Sequence, residues 1–271
     1  MTTKADIARR IRSAQSHYES GVYGLAASEY RTSIELAEAS GTVPPVLSVL
    51  LNNLGVACKY LGAFEEAERV YRRALAIVEE LRGPNHPEVA TICHNLGGLE
   101  HARRRFAAGE PFARRSVTVR EQALGPDHVD VAADLGALAA LLDGQRKFEE
   151  SEPLYARALG IFERTYGPDH VEVGMILGNL AAFNHAQGRL SDAEPLYRRA
   201  LAIKEGHFGP THPSVATTLN NMAVLASEQG RHTQAVAWFE RAFSILEPTL
   251  GSQHPHVVAC GARLRTASNQ S

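Results

Sequence analysis

Small and apolar residues recur along this chain at helical spacing, and the recurrence itself repeats. Ala67, Tyr71 and Ala74 stand at i, i+4 and i+7. So do Ser151, Tyr155 and Ala158, then Ala193, Tyr197 and Ala200, then Ala235, Phe239 and Ala242. Such a set makes one stripe on an α-helix. Ahead of these helices a second motif repeats as Leu54-Gly55, Leu96-Gly97, Leu138-Ala139, Leu180-Ala181 and Met222-Ala223. It predicts an earlier helix whose small residue admits a close neighbour. Gly62, Gly188 and Gly230 mark the turn between the two.

The joints between helix pairs repeat as strictly. Gly83-Pro84-Asn85-His86 returns as Gly125-Pro126-Asp127-His128, Gly167-Pro168-Asp169-His170 and Gly209-Pro210-Thr211-His212, with a degenerate Gly251-Ser252-Gln253-His254. The interval is 42 residues each time. The glycine suits a left-handed residue at a helix end, and the proline after it cannot continue the helix. Pro87 and Pro213 fall in the first turn of the next helix, where a missing N–H costs little. The loop histidines His86, His128, His170, His212 and His254 share this spacing, so they read as structural residues that pack on or cap the next helix, not as a metal array.

A fixed period of this kind predicts stacked units that bury their apolar faces only against neighbours. Six helix pairs are expected, over 5–41, 45–83, 87–125, 129–167, 171–209 and 213–251, in a single solenoid covering 1–271. The first pair carries Ala14, Tyr23, Ala26, Tyr30 and Ser33 and joins the second through an irregular Thr42-Val43-Pro44-Pro45. A further helix over 255–268, with Arg263 and Arg265 solvated, closes the stack. The third pair is the least regular, since Gly109, Ala113 and Ser116 replace standard residues, and looser packing is expected there.

With NNLG, EAExxYxRALAI and GPxHPxVA in that order over residues 45–258, the chain resembles tetratricopeptide repeats of the long form found in kinesin light chain and its bacterial relatives. The resemblance implies an all-α fold, a right-handed α-α superhelix, in which the first helices of successive pairs line a concave groove. It is specific for fold and says little about function.

Composition narrows the partners. Hydrophobic residues make up 44% and charged residues 21%, as in a core-forming chain. A formal net charge of −2 gives no global reason to bind nucleic acid or an anionic membrane. No stretch approaches the roughly 18 apolar residues of a membrane span, and MTTKADIARRIRS lacks the apolar core of a signal peptide. Cys58, Cys93 and Cys260 form no C-x-x-C pair, so buried, reduced thiols and a cytoplasmic location are expected.

Under the resemblance, the groove reads as stripes. One is Asn53, Asn95, Ala137, Asn179 and Asn221; its neighbour is Asn52, His94, Gly136, Gly178 and Asn220. A third is Lys59, His101, Asp143, His185 and Ser227, with Val56, Gly98, Ala140, Ala182 and Val224 as a small-residue floor. Asparagine is a poor helix-interior residue, because its amide competes for backbone hydrogen bonds. Four at one position therefore need a reason. Either each amide holds the backbone of an extended peptide, or the amides bridge neighbouring helices or simply persist as repeat consensus. In kinesin light chain and carboxylate-clamp relatives, matching asparagines contact the ligand. A carboxylate clamp also needs cations beside the amides, and the matching positions offer only Lys59, so a neutral or mildly apolar peptide is the better expectation.

The trio His101, Asp143 and His185 invites a metal or catalytic reading. Packed helices lie about 8–10 Å apart, so two steps separate the outer histidines by nearly 20 Å, too far to share an ion with bonds of about 2 Å. Polar groove lining is expected, with no metal, cofactor or catalytic residue. Arg72-Arg73, Arg114-Arg115 and Arg198-Arg199 read as solvated outer-face charges balanced by Glu65, Glu66, Glu149 and Glu150. No P-loop, G-x-S-x-G or H-E-x-x-H occurs. The expected activity is that of a scaffold or adaptor binding a protein or extended peptide. A ligand- or signal-peptide-sensing regulator and an enzyme using a His–Asp groove pair are the alternatives.

Overall fold

The computed structural model describes residues 4–41 and 44–270. Thr42 and Val43 of the expected irregular connection, and Met1 to Thr3 of the N-terminal segment, lie outside the described residues. Thirteen α-helices and no strand are found among the described residues. The chain divides into two compact units, Met1–Arg157 and Ala158–Ser271.

Unit 1 holds α1 (Lys4–Glu19), α2 (Tyr23–Ala39), α3 (Pro44–Tyr60), α4 (Phe64–Arg82), α5 (Pro87–Ala102), α6 (Phe106–Leu124) and α7 (Val129–Gly144). The unit boundary falls within α8 (Phe148–Tyr166). Unit 2 continues with α9 (Val171–Ala186), α10 (Leu190–Phe208), α11 (Pro213–Glu228), α12 (His232–Leu250) and α13 (Pro255–Ser268). Within each unit successive helices pack together, and the first helices of neighbouring pairs also touch: α3 on α5 and α5 on α7, then α9 on α11 and α11 on α13. The helix pairs and the terminal helix agree with the fold class read from the period.

The repeated aromatic is the centre of its packing layer in every 42-residue copy but the third, which carries Ala113. Tyr71 and Tyr155 in unit 1, and Tyr197 and Phe239 in unit 2, are almost wholly buried. Each such side chain contributes about 1.5–3 kcal/mol by leaving water. The partner glycine makes room: a Cβ on Gly55 would lie 2.5 Å from the Tyr71 ring. The expected looseness of the third pair is absent. Leu141 of α7 fills the space beside Gly109, where an added Cβ would meet it at 2.6 Å.

The joints behave as their chemistry requires, with one correction. Gly83, Gly125, Gly209 and Gly251 end their helices at φ between 83° and 87°, as expected, but ψ lies at 151° to 163°. This is an extended glycine-only conformation and not the left-handed helical one. The loop histidines are N-caps. In each, Nδ1 accepts from the backbone N–H two residues on, at 3.3 Å for His86, 3.1 Å for His128, 3.3 Å for His170, 3.1 Å for His212 and 3.2 Å for His254. The inner turns of the third and fourth pairs differ from the others, since Gly62 in unit 1 also takes a φ of 75°. Gly188 and Gly230 take φ of 75° and 74°, whereas Arg104 and Arg146 hold the same turn in unit 1 at 58° and 62°.

The paired arginines also need correcting. The first of each pair bonds within its own helix, Arg72 to Glu68, Arg114 to Glu110 and Arg198 to Glu194. Of the expected partners, Glu150 does pair with Arg114, at 2.7 Å. The second arginine instead bridges to the preceding second helix. Arg73–Glu38, Arg115–Glu79 and Arg199–Glu163 lie at 2.6, 2.6 and 3.0 Å, and Arg157–Glu121 and Arg241–Glu205 continue the series at 2.7 and 2.6 Å. Arg115, Arg157, Arg199 and Arg241 also donate to the proline carbonyls of the joints. Half-exposed pairs are worth little singly, but this series ties successive second helices together within each unit.

Candidate functional site

The polar first-helix stripes occupy half-buried or exposed positions in both units. Part of the asparagine stripe bridges helices. In unit 1, Asn95 Nδ2 on α5 donates to Asn52 Oδ1 on α3 at 2.8 Å, and Asn52 Nδ2 in turn donates to Asn53 Oδ1 at 3.4 Å. Asn53 also meets the Tyr30 hydroxyl. In unit 2 the same pattern appears one step later. Arg263 of α13 stands where Asn95 stood and donates to Asn220 Oδ1 at 3.2 Å, while Asn220 Nδ2 donates to Asn221 Oδ1 at 3.3 Å. Asn179 is exposed, and no hydrogen bond among the described residues uses its amide or the Asn221 Nδ2 group. The bridging reading thus holds for Asn52, Asn53 and Asn95, whereas Asn179 and the Asn221 Nδ2 group make no hydrogen bond among the described residues.

The third stripe is polar lining of mixed character. Lys59 Nζ sits 4.9 Å from the Tyr60 ring centroid and beside Gly98. His101 packs edge-on against Phe106, 5.4 Å between ring centres. Asp143 is half-buried with its Oδ1 unpartnered, and burial pushes its pKa up to about 6 against the opposing pull of Arg146. His185 bonds outward to Glu228 on α11, Nε2 to Oε2 at 2.8 Å. Among the described residues no three His, Cys, Asp or Glu side chains gather as a metal site. The three cysteines are free and buried, and burial raises the Cys58 and Cys93 thiols to about 12 and about 11.

Two buried charges behind the stripes were missed by a reading confined to the first helices. Arg120 of α6 lies against Asp134 of α7, which is wholly buried; Nε and Oδ2 are 2.9 Å apart in a charge contact rather than an aligned hydrogen bond. Asp134 Oδ1 also holds His94 Nδ1 at 2.8 Å, and Arg120 reaches Asp130 at 3.1 Å and Thr91 Oγ1 at 3.0 Å. His94 is therefore oriented through Nδ1 by Asp134. The second charge is Lys204 of α10, 6% exposed, which donates to Thr218 Oγ1 of α11 at 3.0 Å. The signal was in the sequence: Arg120 and Lys204 stand at the repeat position held by Val78, Phe162 and Leu246.

Tandem helix pairs with a polar first-helix face define a repeat scaffold, a class that typically works by holding proteins or peptides and not by catalysis. The chain belongs to the tetratricopeptide repeat family, whose model matches residues 6–80, 45–108, 89–163, 144–206 and 173–248. Among solved structures it is similar to BtubC (BKLC) from P. vanneervenii, with 25% identity, a TM-score of 0.58 and coverage of 92% of this chain and 94% of that one. A Podospora anserina kinesin light chain protein with nearly identical TPR-like repeats matches at 20% identity and TM-score 0.53, covering 76% of this chain and 98% of that one. NprR in complex with its cognate peptide NprX matches at 10% identity and TM-score 0.71, covering 99% and 72%. The last two share the fold alone. No curated protein sequence matches the chain. No helix among the described residues is long and apolar enough to cross a membrane.

Proposed function

We propose that this protein is a scaffold whose first-helix face holds an extended peptide segment of a partner. The observation that carries the reading is that Asn179 and Asn221 keep unused amide donors on that face of unit 2, although asparagine weakens a helix interior. Such amides satisfy a peptide backbone whatever its side chains. Val224 and Ala182, half-buried between them, receive small apolar side chains. In unit 1, Asn52, Asn53 and Asn95 form a pre-ordered edge, and Lys59, His94, His101 and Asp143 set its charge. His185 does so in unit 2. That NprR, with the same fold, was solved with a peptide supports this reading as a use the fold permits.

The test is to locate the ligand. Peptides selected from a random linear library on the intact protein are offered to variants with a photoreactive p-azidophenylalanine at Ser227 of α11 or at the exposed Glu240 of α12. Cross-linking at Ser227 and not at Glu240 is expected. Cross-linking at Glu240 alone moves the site to the second helices and ends this reading.

A further inference from the structure

The joint histidines cap their helices through a nitrogen that titrates. His212 Nδ1 accepts from the Ser214 N–H at 3.1 Å, which requires a neutral ring with its proton on Nε2. An imidazolium carries a hydrogen on both nitrogens and accepts from neither. Its charge also faces the positive end of the α11 dipole. One proton therefore removes the cap and repels the helix that it capped.

The joints do not meet that proton alike. α5, α7 and α9 carry an acidic residue two positions after the histidine, Glu88, Asp130 and Glu172. In α7 the Asp130 carboxylate already lies 3.9 Å from His128 Nδ1, placed to hold the ring once it is charged. α11 has Ser214 at this position and no acid in its first turn.

The other surroundings of His212 suit a charge no better. The ring is stacked on Phe208, 4.4 Å between centres. α10 brings Lys204, Glu205 and His207, and Glu205 is taken by Arg241 of α12 at 2.6 Å. Lys204 stands behind the turn, where Thr218 links it to the Ser214 carbonyl. Asp169 of the preceding joint borders a hollow beside His207. α9 presents Met175 to the Ser214 hydroxyl, α12 ends near the exposed Glu247, and α13 begins after His254 with His256, both bases. Burial first, then His207 and Lys204, hold the His212 imidazole below its ordinary value of 6.5. The folded ring thus releases its proton more readily than the unfolded one. Stability from this group is present above about pH 6.5 and is lost as pH falls through the folded value.

We propose that the joint at His212 is an acid-sensitive hinge: protonation of the ring releases the first turn of α11, while the joints at His86, His128 and His170 stay closed. α11 carries Asn220, Asn221 and Val224, so the hinge acts on the first-helix face of unit 2. Its control of a bound peptide rests on the peptide reading; the hinge itself does not.

The test is amide hydrogen exchange on the intact protein, expressed as protection factors so that the intrinsic effect of pH is removed. Leu219 and Ala223 of α11 are compared with Leu177 and Ala181 at the matching positions of α9. Between about pH 7.5 and about pH 5.5, the span over which histidine titrates, α11 should lose about 3- to 10-fold of its protection, the worth of one N-cap. α9 should lose less than about 2-fold, because Glu172 holds its charged cap. His212→Asn caps without titrating and should keep α11 protection constant over this range. Ser214→Glu supplies the missing carboxylate and should bring the loss in α11 down to that in α9. No acid loss in α11, equal losses in the two helices, or an undiminished loss in His212→Asn overturns the hinge. A library-selected peptide titrated at the two pH values then separates the readings. Weaker binding at acid pH in wild type but not in His212→Asn supports control of the peptide. Unchanged affinity while α11 opens removes that control and leaves the hinge standing.

Discussion

The two units bury a charge at the same repeat position and treat it differently. Arg120 in unit 1 is met by Asp134, and the carboxylate is shared with His94. Lys204 in unit 2 is met by Thr218, a neutral hydroxyl, and faces Gly178 where a side chain is missing. Elsewhere the position is apolar, as at Val78, Phe162 and Leu246, so neither charge is required by the stack. The first is a closed ion pair that fixes the register of α6 on α7. The second is a buried cation held by a neutral hydroxyl.

The largest expected effect breaks the closed pair. Asp134→Ala removes the buried counter-charge of Arg120 and leaves it only the half-exposed Asp130, and should cost about 3 kcal/mol in urea unfolding. Thr218→Ala at the matching position should cost about 1 kcal/mol, because it removes one hydrogen bond. Equal losses would erase the distinction between the two sites.

Removing the unpaired charge should do the opposite. Lys204→Met should stabilise the protein by about 1–3 kcal/mol at neutral pH, since a buried ammonium without a carboxylate opposes folding. The pH dependence has a definite sign. The folded amine titrates near 8 and the unfolded one near 10.5, so the folded state prefers the neutral form. Wild-type stability should therefore climb from about pH 8 to about pH 10.5, relative to Lys204→Met.

The third stripe gives a smaller contrast. Asp143 has no partner at Oδ1, while His185, its counterpart in unit 2, is bonded to Glu228. The folded carboxyl titrates near 6, above its ordinary value of 3.8, so the protonated form favours folding. Stability from this group is present at low pH and falls as pH rises through about 4 to 6. Asp143→Asn should thus stabilise the protein by about 1 kcal/mol at pH 7 and have little effect at pH 3. Chemical unfolding of both proteins at the two pH values measures it.

How much was legible in the sequence follows from what repeats. The helices, joints and histidine caps are fixed by residues whose local chemistry recurs every 42 positions, so the fold could be read from them. The Arg–Glu bridges recur as well, but their partners lie about 36 residues apart on neighbouring second helices, and a search for nearby counter-charges chose others. The stripes were placed by register, yet which amides were free depended on a single residue, Gly178 against Asn52, whose meaning appears only when helices are stacked. Lys204 departs from an apolar repeat position, but its partner Thr218 lies on the next helix and carries no charge to mark it in the sequence.

The smallest stability effect lies at the inner turns, where the third and fourth pairs depart from Gly62, Gly188 and Gly230. Arg104 and Arg146 hold a positive φ that Gly188 and Gly230 adopt without a Cβ. Arg146→Gly should stabilise unit 1 by about 0.5–1 kcal/mol, the relief of strain outweighing the added freedom of the unfolded chain. A loss of stability in thermal unfolding would show that the Arg146 side chain, which lies over Phe148, is worth more than the turn costs.

The central claim is that free amides on the first helices of unit 2 hold a peptide. It is tested most directly by calorimetric titration of a library-selected peptide into wild-type protein and into Asn179→Ala with Asn221→Ala. Each lost neutral hydrogen bond is worth about 0.5–1.5 kcal/mol, so the pair should weaken binding about 5- to 150-fold if the effects add. Helicity should be unchanged, because alanine is the better helix former. Unchanged affinity with intact helicity would contradict the claim.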